Sequence, residues 1–262
     1  MPEKNIVVVG YPKSGNTWLS RLVAELIGCP VRGFWKEPQN QDIAIEGENR
    51  VSDYAVFKAH HSFPLILEDA PHLLPQNIIC IVRDVRDIAI SGAHFFEFPL
   101  SPCTWKVRIK VPLIGVLKIT LLFNESFERQ RKIWKMIEVL DKGSNSMTRW
   151  LRIPWDVHVQ GYLDNGIFLV RYEDMLAEPV TQCKRILAHL EIERDEESIR
   201  EAVRRQQFDT VKTKFLEQGD RKCANFLRQG KSGVWKHELT LHQKWFLRRR
   251  FSDTLRALRN LP

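Results

Sequence analysis

The stretch Gly10-Tyr11-Pro12-Lys13-Ser14-Gly15-Asn16-Thr17-Trp18 restricts what this chain can fold into more than any other. It follows Ile6-Val7-Val8-Val9, an apolar, β-branched run short enough to be a buried parallel strand. Behind it, Leu19, Leu22, Val23, Leu26 and Ile27 recur at helical spacing until Gly28 and Pro30 end the pattern. A strand, a tight loop and a helix N-terminus in that order aim several backbone N–H groups and a positive helix end at one point. That is an anion site. The expected fold is α/β, with three layers (α/β/α) around a central parallel sheet of about four or five strands.

The rest of the chain bounds the answer. Its 262 residues suit one large domain spanning 1–262, with no internal repeat, low-complexity segment or interdomain linker. The longest apolar run, Val111 to Phe123, is interrupted by Pro112, Gly115 and Lys118. At roughly thirteen residues it is too short for a membrane span, which takes about 20. No secretory leader is read, because Glu3, Lys4 and Asn5 lead directly into the first strand. The five cysteines (Cys29, Cys80, Cys103, Cys183, Cys223) are scattered without a Cys-x-x-Cys pair, which argues against structural zinc or a disulfide framework. A reducing cytoplasm is the expected location. The formal charge of +8 fits a basic surface or an electropositive cleft for a small polyanion. No basic reading motif for nucleic acid accompanies it.

The loop falls one residue short of a nucleotide-binding P-loop. The pattern Gly-x4-Gly-Lys-Ser/Thr is met by Gly10, Gly15 and Thr17, but Asn16 stands where the lysine belongs and the lysine is Lys13. A lysine at the loop's crest meets a transferring group from another side than the P-loop lysine does. Downstream, the strand Tyr54–Lys58 ends in Ala59-His60-His61, and open α/β sheets place ligands at such strand ends. A lone histidine there is structural, merely exposed, or a general base. A second buried strand, Ile78–Val82, ends in Arg83-Asp84; Asp84 could hold Mg²⁺ in a nucleotide hydrolase or cap the following helix. The apolar positions of 98–122 fit a ligand pocket or core packing equally, residues 30–50 read as a polar loop, and 209–227 read as a mobile lid.

Tyr11-Pro12-Lys13-Ser14-Gly15-Asn16-Thr17-Trp18 resembles the 5′-phosphosulfate loop of the cytosolic-type sulfotransferases, where Thr usually stands at the place of Asn16. These enzymes use 3′-phosphoadenosine 5′-phosphosulfate (PAPS). Three further stretches resemble the family in the same order. Lys58-Ala59-His60 resembles Lys/Arg-x-His. Arg83 to Ser91 resembles Arg-Asn-Pro-Lys-Asp-x-x-x-Ser, and Arg228-Gln229-Gly230 resembles Arg-Lys-Gly. Trp155-x-x-His158-Val159 and Tyr172-Glu173-Asp174 are similar to other family features, the first read as packing.

The resemblance implies a transfer of the sulfuryl group from PAPS to a hydroxyl or amine. Lys13, Ser14, Gly15, Asn16, Thr17 and Trp18 would hold the 5′-phosphosulfate. Arg83, Ser91, Arg228, Gln229 and Gly230 would hold the 3′-phosphate, with Tyr172 and Phe208 beside the adenine. His60, favoured over His61 by its register from Lys58, would be the base. Lys13 and Lys58 would stabilise the charge on the leaving oxygen. The expected partner is a small acceptor, apolar or amphipathic, with 3′-phosphoadenosine 5′-phosphate (PAP) as product, no metal and no nucleic acid. The family's short dimer motif is degraded in Lys236-x3-Thr240-Leu241-x3-Trp245, so both monomer and homodimer stay open. The rival readings are a P-loop kinase or hydrolase and a non-catalytic binder of anions or nucleic acid.

Overall fold

The computed structural model describes residues 4–36, 45–69, 71–98, 113–217, 219 and 230–261, with backbone alone at 45 and 113–125. The strands are β1 (Lys4–Val9), β2 (Val31–Phe34), β3 (Ile45–Glu46), β4 (Tyr54–Ala59), β5 (Ile78–Val82) and β6 (Phe168–Arg171). Between and after them run α1 (Asn16–Ile27), α2 (Phe63–Asp69), α3 (Val85–Phe95), α4 (Leu113–Lys142), α5 (Trp155–Asp164) and α6 (Tyr172–Ala177). The remaining helices are α7 (Pro179–His189), α8 (Glu196–Arg205), α9 (Phe208–Glu217), α10 (Trp235–Glu238), α11 (Leu241–Arg250) and α12 (Ser252–Arg259).

The strands form one sheet in the order β3-β2-β4-β1-β5-β6. Neighbours from β2 to β6 run parallel, and only the short edge strand β3 is antiparallel. Side chains alternate across each strand, so successive residues of β1 feed two cores. Val7 and Val9 pack with Ile88 of α3, Ile133 and Ile137 of α4, Trp155 of α5 and Leu247 of α11. Ile6 and Val8 pack with Leu19 and Val23 of α1, Ile186 of α7 and Ile199 of α8. β5 is buried throughout and β1 over its last four residues, which explains why these strands read as continuous apolar runs.

Register decides where the site lies. Val9 of β1 aligns with Ala59 of β4 and with Cys80 of β5. The loop that begins at Gly10 therefore lies between the C-terminal end of β4, where His60 follows, and that of β5, where Arg83 follows. That is the crevice in which open α/β sheets bind ligands.

Two segments differ from the sequence expectation. Residues 30–50 are not all loop, because β2 and β3 lie there. β2 is only four residues long and contains Gly33, too little for the alternation to show. Within 209–227, α9 occupies the described part, with Phe208, Val211 and Phe215 forming a stripe at spacings of three and four; residues 220–227 lie outside the described residues. Of the apolar 98–122 stretch, 99–112 also lies outside them, and α4 begins at Leu113.

Candidate active site

The loop after β1 leaves no room at its glycines. A Cβ on Gly10 would stand 2.4 Å from the Ile81 carbonyl oxygen, so β5 can approach only a glycine there. Gly15 has φ 106°, and a Cβ on it would stand 2.7 Å from the Tyr172 ring. Between them Lys13 adopts φ 72°, a left-handed conformation that costs a lysine on the order of 1 kcal/mol. That conformation lifts its side chain over the Phe95 ring, with Nζ 3.7 Å from the centroid. Ser14, 1% exposed, has a buried hydroxyl with no hydrogen-bond partner among the described residues. A buried, unpartnered hydroxyl inside a ring of loop amides is suited to an anion's oxygens.

At the end of β4, the Lys58 ammonium donates to Thr17 Oγ1 at 2.7 Å and lies 4.3 Å over the Phe34 ring. His60 sits with its Nδ1 2.8 Å from the Gly10 carbonyl oxygen. A carbonyl can only accept, so Nδ1 carries the proton and the neutral ring has its lone pair on Nε2. Burial holds this imidazole well below its ordinary pKa, helped by the positive charge of Lys58 and, more weakly, by His158 and Lys13; the Gly10 carbonyl opposes the shift. The ring packs against Trp150, with centroids 5.0 Å apart, and Trp150 in turn stacks on Phe34 with planes 3° apart. His61 faces elsewhere. It is 1% exposed at its side chain, with Nε2 3.1 Å from the Asp69 carboxylate of α2, and its carbonyl accepts from Tyr162 Oη at 2.8 Å.

Arg83, at the end of β5, is buried and points back at the loop. Its Nη1 donates to the Lys13 carbonyl at 3.1 Å and its Nη2 to the Lys231 carbonyl at 2.9 Å, while the guanidinium lies 4.2 Å over Tyr172. Asp84 caps α3: its carboxylate accepts from the Arg86 amide at 2.9 Å and from the Arg86 guanidinium. Of the two roles open to Asp84, the structure shows the cap. Asp87, on the first turn of α3 and 1% exposed, accepts from the Gly233 amide at 2.7 Å and the Trp235 amide at 3.1 Å. It thereby fastens the segment that begins at Gly230. Gly230 itself leaves no room for a side chain over Phe208, which a Cβ would approach to 2.4 Å. Trp18 donates to the Gln206 carbonyl at 2.8 Å and meets Tyr172 edge-on.

Sequence-predicted residues thus gather in two groups around one loop. Thr17, Lys58 and His60 lie on the β4 side; Lys13, Arg83, Tyr172, Gly230 and Phe208 lie on the β5 side. Ser91 is half-buried farther along α3. Arg228 and Gln229 lie outside the described residues. The sequence reading passed over Asp87, Phe34 and Trp150. Asp87 was legible in principle, as an acid within the 83–91 motif at the start of a helix whose neighbours are apolar. The Phe34–Trp150 pair joins residues more than a hundred positions apart, and local pattern carries no sign of it. Among the described residues, no group of three or more His, Cys, Asp and Glu could hold a metal ion.

The geometry is that of a doubly wound α/β protein whose first loop is shaped to receive an anion, with a neutral imidazole on one side and a buried arginine on the other. The sulfotransferase domain model matches residues 3–259, and the chain belongs to that family of PAPS-dependent enzymes. It is 22% identical to rat "Sulfotransferase 1 family member D1" over 91% of this chain and 79% of that protein. It is 23% identical to rabbit "Amine sulfotransferase" over 97% of this chain and 81% of that one. Among solved structures, mouse sulfotransferase SULT7A1 complexed with PAP superposes with a TM-score of 0.64 at 18% identity, covering 98% of this chain and 86% of that one. Retinol dehydratase in complex with retinol and PAP gives a TM-score of 0.60 at 16% identity, covering 97% and 82%. The α/β fold with its parallel sheet is the fold of these enzymes. No described helix is long and apolar enough to cross a membrane.

Proposed function

We propose that this chain, as a single cytoplasmic domain spanning 1–262, transfers the sulfuryl group of PAPS to the hydroxyl or amine of a small apolar or amphipathic acceptor. The observation that carries the reading is the His60 ring: neutral, with its Nδ1–H donated to Gly10 and its Nε2 lone pair available beside the anion loop. Such a base can remove the acceptor proton at neutral pH. The residues fit the donor. Ser14 offers a buried hydroxyl without a partner among the described residues, the amides of Asn16 and Thr17 open α1 behind its N-cap Gly15, and Arg83 presents a guanidinium behind Lys13.

When bound, PAPS supplies the sulfuryl group and a bisphosphate as leaving group. Lys13 and Lys58 lower the cost of negative charge collecting on the oxygen between phosphate and sulfur. Thr17 orients Lys58 through their hydrogen bond. Arg83, Ser91 and the 228–230 segment hold the 3′-phosphate, and Tyr172, Trp18 and Phe208 flank the adenine. The reading takes no metal, in keeping with two observations. The Lys58 ammonium occupies the Thr17 hydroxyl that would bind Mg²⁺ in a P-loop hydrolase, and the Asp84 carboxylate is engaged by Arg86.

Calorimetric and thermal-shift titration with PAP, ATP–Mg²⁺ and 5′-AMP tests this. At about a hundred times its Kd, PAP should add about 2.7 kcal/mol of stability with or without EDTA, and 5′-AMP far less at equal concentration. Preference for ATP–Mg²⁺, or no binding of PAP, would refute the reading in favour of a P-loop phosphotransferase or a different anion binder.

A further inference from the structure

Asn16 departs from the residue that usually stands in this loop, and its side chain is turned to the ends of β1 and β4. Its Nδ2 donates to two backbone carbonyls: Gly10 at 2.9 Å and Ala59 at 2.8 Å. Both partners can only accept, so the orientation of the carboxamide is fixed by chemistry. Both amide hydrogens are thereby committed. What remains is Oδ1, buried, an acceptor with no hydrogen-bond partner among the described residues, and an acceptor repels an anion's oxygens.

The two carbonyls are not arbitrary. Gly10 is the acceptor of the His60 Nδ1–H, and Ala59 is the residue before His60. A carbonyl oxygen has two lone pairs. With Asn16 on one, the other is directed at His60. The second Asn16 bond ties the end of β1 to the end of β4 at the peptide that carries the histidine. A serine or threonine has one hydroxyl proton on a shorter side chain and can serve one of these carbonyls at most.

We infer that Asn16 is a positioning residue for the base: its side chain locks the His60 tautomer and ring direction through Gly10 and Ala59, and only its backbone N–H is left for the donor. This rests on the reading of His60 as the base. A threonine here would turn its hydroxyl to the loop amides or to the donor, leaving the end of β4 to be held by other contacts. In this chain the loop that receives the donor and the residue that activates the acceptor are joined by one carboxamide.

The test uses the full chain with Asn16→Thr, Asn16→Ala and Asn16→Asp. ¹⁵N NMR of the imidazoles reads the tautomer without any turnover, PAP calorimetry reads the donor site, and steady-state kinetics with a model phenol reads the chemistry. In the wild type, His60 should show a protonated Nδ1 and a bare Nε2. In the threonine and alanine variants the tautomers should mix. PAP affinity should stay within about threefold, while kcat at saturating PAPS falls about tenfold or more and the acid limb of the pH profile moves. Lys58, Lys13 and His158, the charged and titratable groups around His60, are unchanged in all of these variants. Asn16→Asp sets a carboxylate against two carbonyls and should lose the most activity. If it fails to fold, the threonine variant decides. PAP affinity reduced tenfold with kcat at saturation kept would make the Asn16 side chain a donor ligand and overturn the inference, as would an unchanged tautomer and kcat. If wild type failed to bind PAP while the His60 tautomer still answered to Asn16, the donor reading would fall and the positioning role would stand.

Discussion

Acidifying the protein from pH 7.5 to 5.5 should cost it stability well before its carboxylates titrate. His158 on α5 is buried, edge-on to Tyr11, and burial holds its pKa down at about 4. His60 is displaced in the same direction. In the unfolded chain both return to about 6.5. The unfolded state therefore binds protons that the folded state refuses, and stability, fully present above pH 6.5, falls as pH drops below it. For His158, held at about 4, the loss between pH 7.5 and 5.5 is about 1.4 kcal/mol, against a total of about 5–15 for an ordinary domain, and His60 and the partly buried His189 shift stability in the same direction. Carboxylates held low, such as Glu196 at about 2, act below this window. Glu173, raised by burial, works in the opposite direction nearer its own ordinary range. Urea unfolding followed by tryptophan fluorescence at the two pH values measures the loss. His158→Phe should remove about 1.4 kcal/mol of it, the share of that one proton site. Equal stability at pH 7.5 and 5.5, or a phenylalanine variant that keeps the whole loss, would refute the assignment of buried neutral imidazoles.

Other outcomes follow from the same geometry. Lys13→Ala and His60→Ala should each lower kcat at least about a hundredfold on a competent acceptor, with the unfolding midpoint near that of wild type; near-normal turnover would remove that residue from the chemistry. Asp87→Ala frees the Gly233 and Trp235 amides and should raise the KM for PAPS about tenfold while kcat at saturation changes little, as steady-state kinetics would show. Gly10→Ala must displace β5 from its contact at Ile81 and should cost on the order of 3 kcal/mol, visible as a lowered Tm.

The catalytic frame was readable in the sequence because each part lies where an apolar run stops. Val9, Ala59 and Val82 end buried strands, and Gly10, His60 and Arg83 follow them directly. The apolar stripes of α7 and α8 are regular enough to mark both as helices by periodicity. The later part of α4 carries apolar residues at helical spacing (Phe127, Ile133, Trp134, Ile137, Leu140), while its earlier turns sit in a stretch without polar alternation. β2 and β3 escaped because strands of four and two residues present no face long enough to alternate. The choice between His60 and His61 was a matter of register in the sequence. In three dimensions it becomes a matter of partners, since His61 is turned to Asp69 and His60 to Gly10. The Asp87 clasp and the Phe34–Trp150 stack depend on contacts between distant segments, which local pattern does not encode.

β1 sits in the middle of the sheet, between β4 and β5. The two flanks meet there, through the Asn16 carboxamide at the strand ends and through the core that α3 and α5 share beneath them. Changes along β2, β4 and α5 alter the half with the imidazole and its aromatic wall, while β5, β6 and α3 keep the half with the buried arginine. For an engineer β1 is a shared hinge post and not a partition, and an edit to the face that meets the acceptor has to be matched at the loop that grips the donor.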